Sequence, residues 1–277
     1  MLNMAVIMLL SFITGLVGAL TGLGGGSIMI PLLTLLGVPI KYAVAAGLIT
    51  VIATSSGSAA TYVERELTNV RVAMYLEIYT VIGAIIGAII TNFIAPKLLY
   101  FFFAGFLMTS FIGLRGHISK ELPVVEKQDK LSSWLRLEGS YYDEALGKVV
   151  DYKITNAFPG GLGMFIAGLA AGMLGIGAGA FKVSVQELLL KMPSKVSSTT
   201  SNFIIGMTAL AGASVYLTMG LININLAAPM AIGTTLGAIV GSRILNKFRN
   251  VTIRYLFLVV VLYLIIQMLY KGVTAPW

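Results

Sequence analysis

Runs of apolar residues recur along the whole chain, and they decide what it can fold into. The segments are roughly 4–20, 26–36, 42–63, 72–94 and 97–114, then 158–174, 180–190, 196–219, 224–246 and 251–270. Stretches such as Val72–Pro96 and Ile253–Tyr270 reach the length of about 18 residues at which an apolar helix can cross a bilayer. Composition points the same way, with 57% hydrophobic and 11% charged residues among 277. Soluble domains hold roughly 45–50% and about 25% respectively. An all-α, polytopic integral membrane protein is therefore expected, with the lipid bilayer as its first partner.

The same counts exclude other classes. The chain has no Cys and a single histidine, His117, so disulfides, thiolate metal sites and His-based centres are ruled out and no cofactor is expected. The net charge of +8 does not indicate nucleic-acid binding, because the basic residues lie in short loops between apolar runs, as on a cytoplasmic face. Met1–Leu20 has no basic residue ahead of it and no cleavage site, and it reads as part of the mature chain.

Each half has the same rhythm of two short pieces split by glycines and then three longer runs. At an offset of 153, Gly15, Leu16, Gly22, Gly24, Gly26, Leu35 and Leu36 match Gly168, Leu169, Gly175, Gly177, Gly179, Leu188 and Leu189. At 154, Pro39, Lys41, Thr54, Tyr62, Asn69, Thr80 and Gly83 match Pro193, Lys195, Thr208, Tyr216, Asn223, Thr234 and Gly237. Pro, Lys, Tyr and Asn coincidences in one register are not produced by composition bias, so a duplicated membrane unit is expected. The division is 1–114 as repeat one, 115–156 as a soluble inter-repeat loop and 157–277 as repeat two.

Residues 4–36 are too long for one pass, and 26–36 is too short to cross alone. Either 4–20 spans while 26–36 lies near the interface, giving a parallel repeat, or both pieces form a hairpin at membrane depth, giving an inverted one. With hairpins, Arg65, Arg71, Lys191, Lys195, Arg243, Lys247, Arg249 and Arg254 fall on one face with the central loop, and Lys41, Lys97 and Lys271 on the other. The positive-inside rule favours the hairpins and puts the basic face in the cytoplasm of a plasma-membrane protein. In the central loop, alternation over Leu135–Glu138 and Val150–Thr155, punctuated by Gly139 and Gly147, predicts two amphipathic strands. The loop reads as a tether, with a gating module as the alternative.

Four groups of residues could carry function. The first is Gly24, Gly25, Gly26 and Ser27, matched by Gly177, Ala178, Gly179 and Ala180. Glycines allow a helix to break inside the bilayer, and the helix restarting at Gly26 or Gly179 turns its positive end toward the break, where it favours an anion. Close helix packing through small residues is the plainer reading.

This motif, from Gly15 to Pro31 and again from Gly168 to Ser184, resembles the TauE/SafE family, and the resemblance runs over essentially the whole chain. It implies a transporter, of the exporting kind, for small sulfur-containing anions such as sulfite, sulfoacetate, other organosulfonates or thiosulfate. The second half departs from the fuller pattern, with Ala178 in place of a glycine and Ser184 in place of the proline.

The second group is Lys182 and Gln186, on one face of the restarted half-helix, where they could neutralise and hydrogen-bond an anion. Alternatively Lys182 snorkels to the interface or pairs with Glu187 or Glu77. The third is the hydroxyl-rich run Thr50, Thr54, Ser55, Ser56 and Ser58, opposed by Ser197, Ser198, Thr199, Thr200, Ser201 and Asn202, with Thr208 a further candidate; such groups suit lining a cavity or gluing helices. The fourth is Glu77, expected at the interface beside Arg71 or Lys97, with a role as coupling-proton carrier as the alternative. Glu187 is the other acidic coupling candidate, and the coupling ion would be a proton or sodium.

The reading is a secondary transporter working by alternating access, with an anion channel using the same half-helices as the alternative. No span contains His or Asp, and neither a P-loop nor an HExxH motif occurs, so an enzyme is not expected.

Overall fold

The computed structural model describes residues 4–21, 24–115, 125, 127–143, 147–244 and 250–274, so Gly22, Leu23, His117, Lys247 and Arg249 lie outside the described residues. The chain is mostly helical, with α1 (Met4–Thr21), α2 (Gly26–Leu35), α3 (Ile40–Glu64), α4 (Val70–Thr91) and α5 (Pro96–Arg115) in the first half. After α6 (Lys130–Trp134), β1 (Glu138–Asp143) and β2 (Lys148–Lys153) come α7 (Ala157–Leu174), α8 (Gly179–Leu188), α9 (Ser194–Thr218), α10 (Ile224–Ile244) and α11 (Asn250–Thr274). Among the described residues, α3, α4, α7, α9 and α10 are long and apolar enough to cross a membrane by length and composition.

Glycines set the helix packing. Gly233, Gly237 and Gly241 of α10 lie against the backbone of Met8, Phe12 and Leu16, so α1 and α10 run parallel and nearly touch. Gly83 and Gly87 of α4 lie likewise against Phe165 and Leu169 of α7. Any side chain at these positions would separate the pair, which is why small residues dominate such seams. Helix α3 runs with α10, since Thr235 Oγ1 donates to the Ala53 carbonyl and Ser242 Oγ to Thr61 Oγ1. Helix α9 runs with α4, since the Asn69 amide donates to Thr200 Oγ1 and Thr208 Oγ1 bonds Thr80 Oγ1. Between these groups α3 and α9 are antiparallel, with Leu48 beside Gly212 and Ser55 Oγ donating to the Asn202 carbonyl. Thus α1, α3 and α10 point one way and α4, α7 and α9 the other.

One hydrogen bond recurs at matched positions. Tyr62 OH donates to the Ala19 carbonyl at 3.1 Å, and Tyr216 OH to the Gly172 carbonyl at 3.0 Å. Both acceptors lie in the last turn of α1 or α7, where carbonyls lose their intrahelical partners. The tyrosines of α3 and α9 satisfy them without water.

At one end of the bundle a β-hairpin fills the space between the halves. β1 and β2 are antiparallel, pairing Tyr141 with Val150 and Tyr142 with Val149. Lys195 Nζ in the first turn of α9 forms a 2.6 Å ion pair with Asp143, and Asn69 Nδ2 donates to the Glu138 carbonyl and Tyr152 OH. The alternation read over Leu135–Glu138 is not a strand: Asp129 caps α6 by accepting from the Ser132 amide, and Arg136 takes φ +50. That left-handed residue turns the chain, so β1 starts only at Glu138 and holds Gly139 inside it. Arg65, Arg71, Lys191, Lys195 and Arg243 gather at this end through the α3–α4, α8–α9 and α10 termini. Lys41 Nζ donates to the Asn92 carbonyl and Lys271 Nζ to the Thr34 carbonyl at the other end.

Candidate functional site

The two breaks meet. Ser27 Oγ at the start of α2 donates to the Ile176 carbonyl in the second break at 3.2 Å. A Cβ on Gly26 would stand 2.8 Å from the Gly175 carbonyl oxygen. Gly24 and Gly177 both take positive φ, +73 and +68, and both face the side chains of Val51 and Ile205. Val51 and Ile205 are each the twelfth of 25 residues in α3 and α9. The junction therefore sits half-way along the two longest inner helices, far from either end. Glycine is favoured at 24 and 177 because an L side chain pays about 1–2 kcal/mol for left-handed backbone.

The first break is held by Thr54, whose Oγ1 accepts from the Gly25 amide at 3.0 Å and donates to the Thr50 carbonyl at 2.8 Å. In the second half, Lys182 reaches the matched threonine: its Nζ donates to Thr208 Oγ1 at 2.9 Å, and Thr208 Oγ1 lies 3.1 Å from Thr80 Oγ1. Lys182 is 0% exposed, so it does not snorkel, and this is its one hydrogen bond among the described residues. An ammonium carries three donors, leaving two unmatched. Gln186, one turn further on and also 0% exposed, has no partner for Oε1 or Nε2. Glu77 is 8% exposed with Oε1 unpartnered, on the same helix as the Thr80 that bonds Thr208. It is buried on α4 three residues before Thr80, and Arg71 donates to the Arg136 carbonyl. Glu187 is half-buried on α8.

Buried polar groups almost always find partners. The cluster of Lys182, Gln186 and Glu77 leaves several unmet, with Lys182 the fourth and Gln186 the eighth residue of α8. Unmet N–H donors of this kind are suited to an anion.

Of the residues singled out from sequence, Gly24, Gly25, Gly26, Ser27 and Thr54 lie at the first break, and Gly177, Ala178 and Gly179 at the second. Lys182 and Thr208 are in direct contact. Asn202 sits beside the first break, its Nδ2 donating to the Ala19 carbonyl at 3.3 Å. Sequence reasoning left Thr80 and Thr234 out of the site. Both are buried threonines within apolar helices and stand in the same repeat register, and that coincidence was the available signal.

The family described as sulfite exporter TauE/SafE matches residues 7–268. The chain belongs to the TauE/SafE family. It is similar over 98% of its length to the probable membrane transporter protein YunE of Bacillus subtilis, with 25% identity covering 99% of that protein. It is also 28% identical to the probable membrane transporter protein YdhB of the same organism, covering 90% of this chain and 93% of that one. The probable membrane transporter protein MJ0441 of Methanocaldococcus jannaschii is 24% identical over 89% of this chain and 88% of its own length. No solved structure matches. With five apolar helices of spanning length, this TauE/SafE chain is a multi-pass membrane protein of a transporter family.

Proposed function

We propose that this TauE/SafE protein is a secondary transporter that carries small sulfur-containing anions, such as sulfite or organosulfonates, out of the cell by alternating access. Two inverted repeats, 1–114 and 157–277, would each give a glycine-broken hairpin and three spans, and residues 115–156 would tether them. The opposite directions of α1 and α7, and of α3 and α9, support the inversion. The basic end with the β-hairpin faces the cytoplasm in this reading, following the Lys/Arg asymmetry.

The observation that carries the reading is Lys182, a fully buried ammonium with one hydrogen bond, beside a fully buried Gln186 with none. A buried charge so poorly solvated costs several kcal/mol. An oxyanion between Lys182 Nζ and Gln186 Nε2, one turn apart on α8, would supply the missing acceptors. A sulfite or sulfonate group offers three oxygens and fits that donor set, with Thr208 fixing the lysine. Glu77, buried on α4, would be the carboxylate that carries a coupling proton, with Glu187 as the second acidic candidate. The breaks sit where α3 and α9 cross, so rocking one half against the other would change which end the junction opens toward.

The test is uptake of radiolabelled sulfite into proteoliposomes holding the purified protein. Saturable flux at carrier rates, lost on Lys182→Met, is expected. Electrogenic flux far above carrier rates would select an anion channel instead, and the absence of flux for every sulfur oxyanion would overturn the substrate class.

A further inference from the structure

The two halves treat matched hydroxyl pairs differently. In the second half the ammonium of Lys182 rests on Thr208 Oγ1, itself 3.1 Å from Thr80 Oγ1. In the first half the matched threonines are Thr54 and Thr234, and the position matched to Lys182 is Met29, which brings no charge. Thr54 and Thr234 flank the same spot: a Cβ on Gly25 would lie 2.8 Å from Thr54 Oγ1 and 3.2 Å from Thr234 Cγ2. Thr234 is 0% exposed and its Oγ1 has no partner. A second unpartnered oxygen, Asn202 Oδ1, belongs to a side chain fastened to the Ala19 carbonyl in the last turn of α1. Gly18, the residue before Ala19, packs directly on the Gly25 amide.

These groups are hydroxyl, amide and carbonyl oxygens, with no Lys, Arg or His among them. The C-terminal end of α1 adds the negative end of a helix dipole. Neutral oxygens around an unwound membrane helix, next to a half-helix C-terminus, are the arrangement that coordinates sodium in carriers, whereas divalent ions of the calcium type draw carboxylates. We infer that Thr54, Thr234 and Asn202 form a sodium site at the first break, where a free cation takes the place that the Lys182 ammonium holds at the second. As a binding site it is independent of the transport reading; a role for sodium as coupling ion rests on that reading.

The test uses the purified full-length protein, melted in sodium chloride or in choline chloride at equal ionic strength, without anionic substrate. Sodium is expected to raise the Tm saturably, by about 4 °C at tenfold saturation. Thr234→Val removes an oxygen that makes no hydrogen bond, so it should fold normally and lose the sodium shift. Met29→Lys should also lose it by supplying a tethered ammonium; if that variant fails to fold, Thr234→Val decides. Equal melting in sodium and choline, or a full shift retained by Thr234→Val, overturns the site. A stabilisation by choline sulfite that persists while the sodium shift is missing sinks the cation site alone, and the reverse result sinks the anion reading alone.

Discussion

The two helix breaks have matched sequences, yet they solve the same problem with different residues. At the first, Gly25 has an ordinary helical φ of −59, but a Cβ there would meet Thr54 Oγ1 at 2.8 Å and Thr50 Cγ2 at 2.9 Å. At the second, Ala178 takes φ +52, a left-handed conformation that costs an L residue something, and its methyl group is accommodated. The glycine in one break is required by space, and the alanine in the other is tolerated despite its backbone. The threonine pairs diverge in the same manner: Thr54 ties down a backbone amide, while Thr208 receives a buried lysine. Two breaks of matched sequence thus make an asymmetric junction, with a buried lysine on one side only.

The largest expected effect comes from filling a break where both backbone and space forbid it. Gly177→Val combines φ +68 with a Cβ 2.8 Å from Val51 Cγ1, a cost of about 3 kcal/mol or more. Transport should fall to background while membrane insertion, followed by extraction and blotting, stays intact; normal uptake would reduce the glycine to a packing role. Next is Lys182→Met, which removes a fully buried lysine and should weaken sulfite binding roughly 10- to 100-fold in a radioligand assay. Met29, its counterpart, serves as control: Met29→Leu should leave sulfite affinity unchanged.

The asymmetry of the breaks themselves predicts a third contrast. Gly25→Ala should cost about 1–3 kcal/mol through its clash with Thr54 and Thr50, whereas Ala178→Gly should stay within about 1 kcal/mol of the parent protein, both read from thermal melts. Equal destabilisation would mean that the two breaks are not distinct in space. The smallest effect belongs to Gln186→Leu. It removes a fully buried side chain that has no hydrogen bond, so the Tm should hold or rise, while sulfite affinity drops about 5-fold.

Much of this was legible in the sequence because bilayer physics leaves few options. The apolar runs gave the helices to within a few residues, and the glycine clusters located both restarts, at Gly26 and Gly179. What remained hidden depended on which helix faces which. Glu77 lies early in an apolar run, and nothing local distinguishes an exposed carboxylate there from a buried one. Thr80 and Thr234 look like ordinary packing threonines until α9 and the first break are brought beside them. The strand read over Leu135–Glu138 failed for a local reason: Asp129 and the left-handed Arg136 impose a capped turn that outweighs a two-residue alternation.

The central claim is that a negatively charged sulfur compound sits against Lys182 where the two broken helices touch. Equilibrium binding of radiolabelled sulfite to the purified protein, by scintillation proximity, measures this directly. The account predicts saturable binding that organosulfonates compete away and that Lys182→Met weakens at least about tenfold. Saturable binding of equal affinity in the parent protein and in Lys182→Met would contradict it.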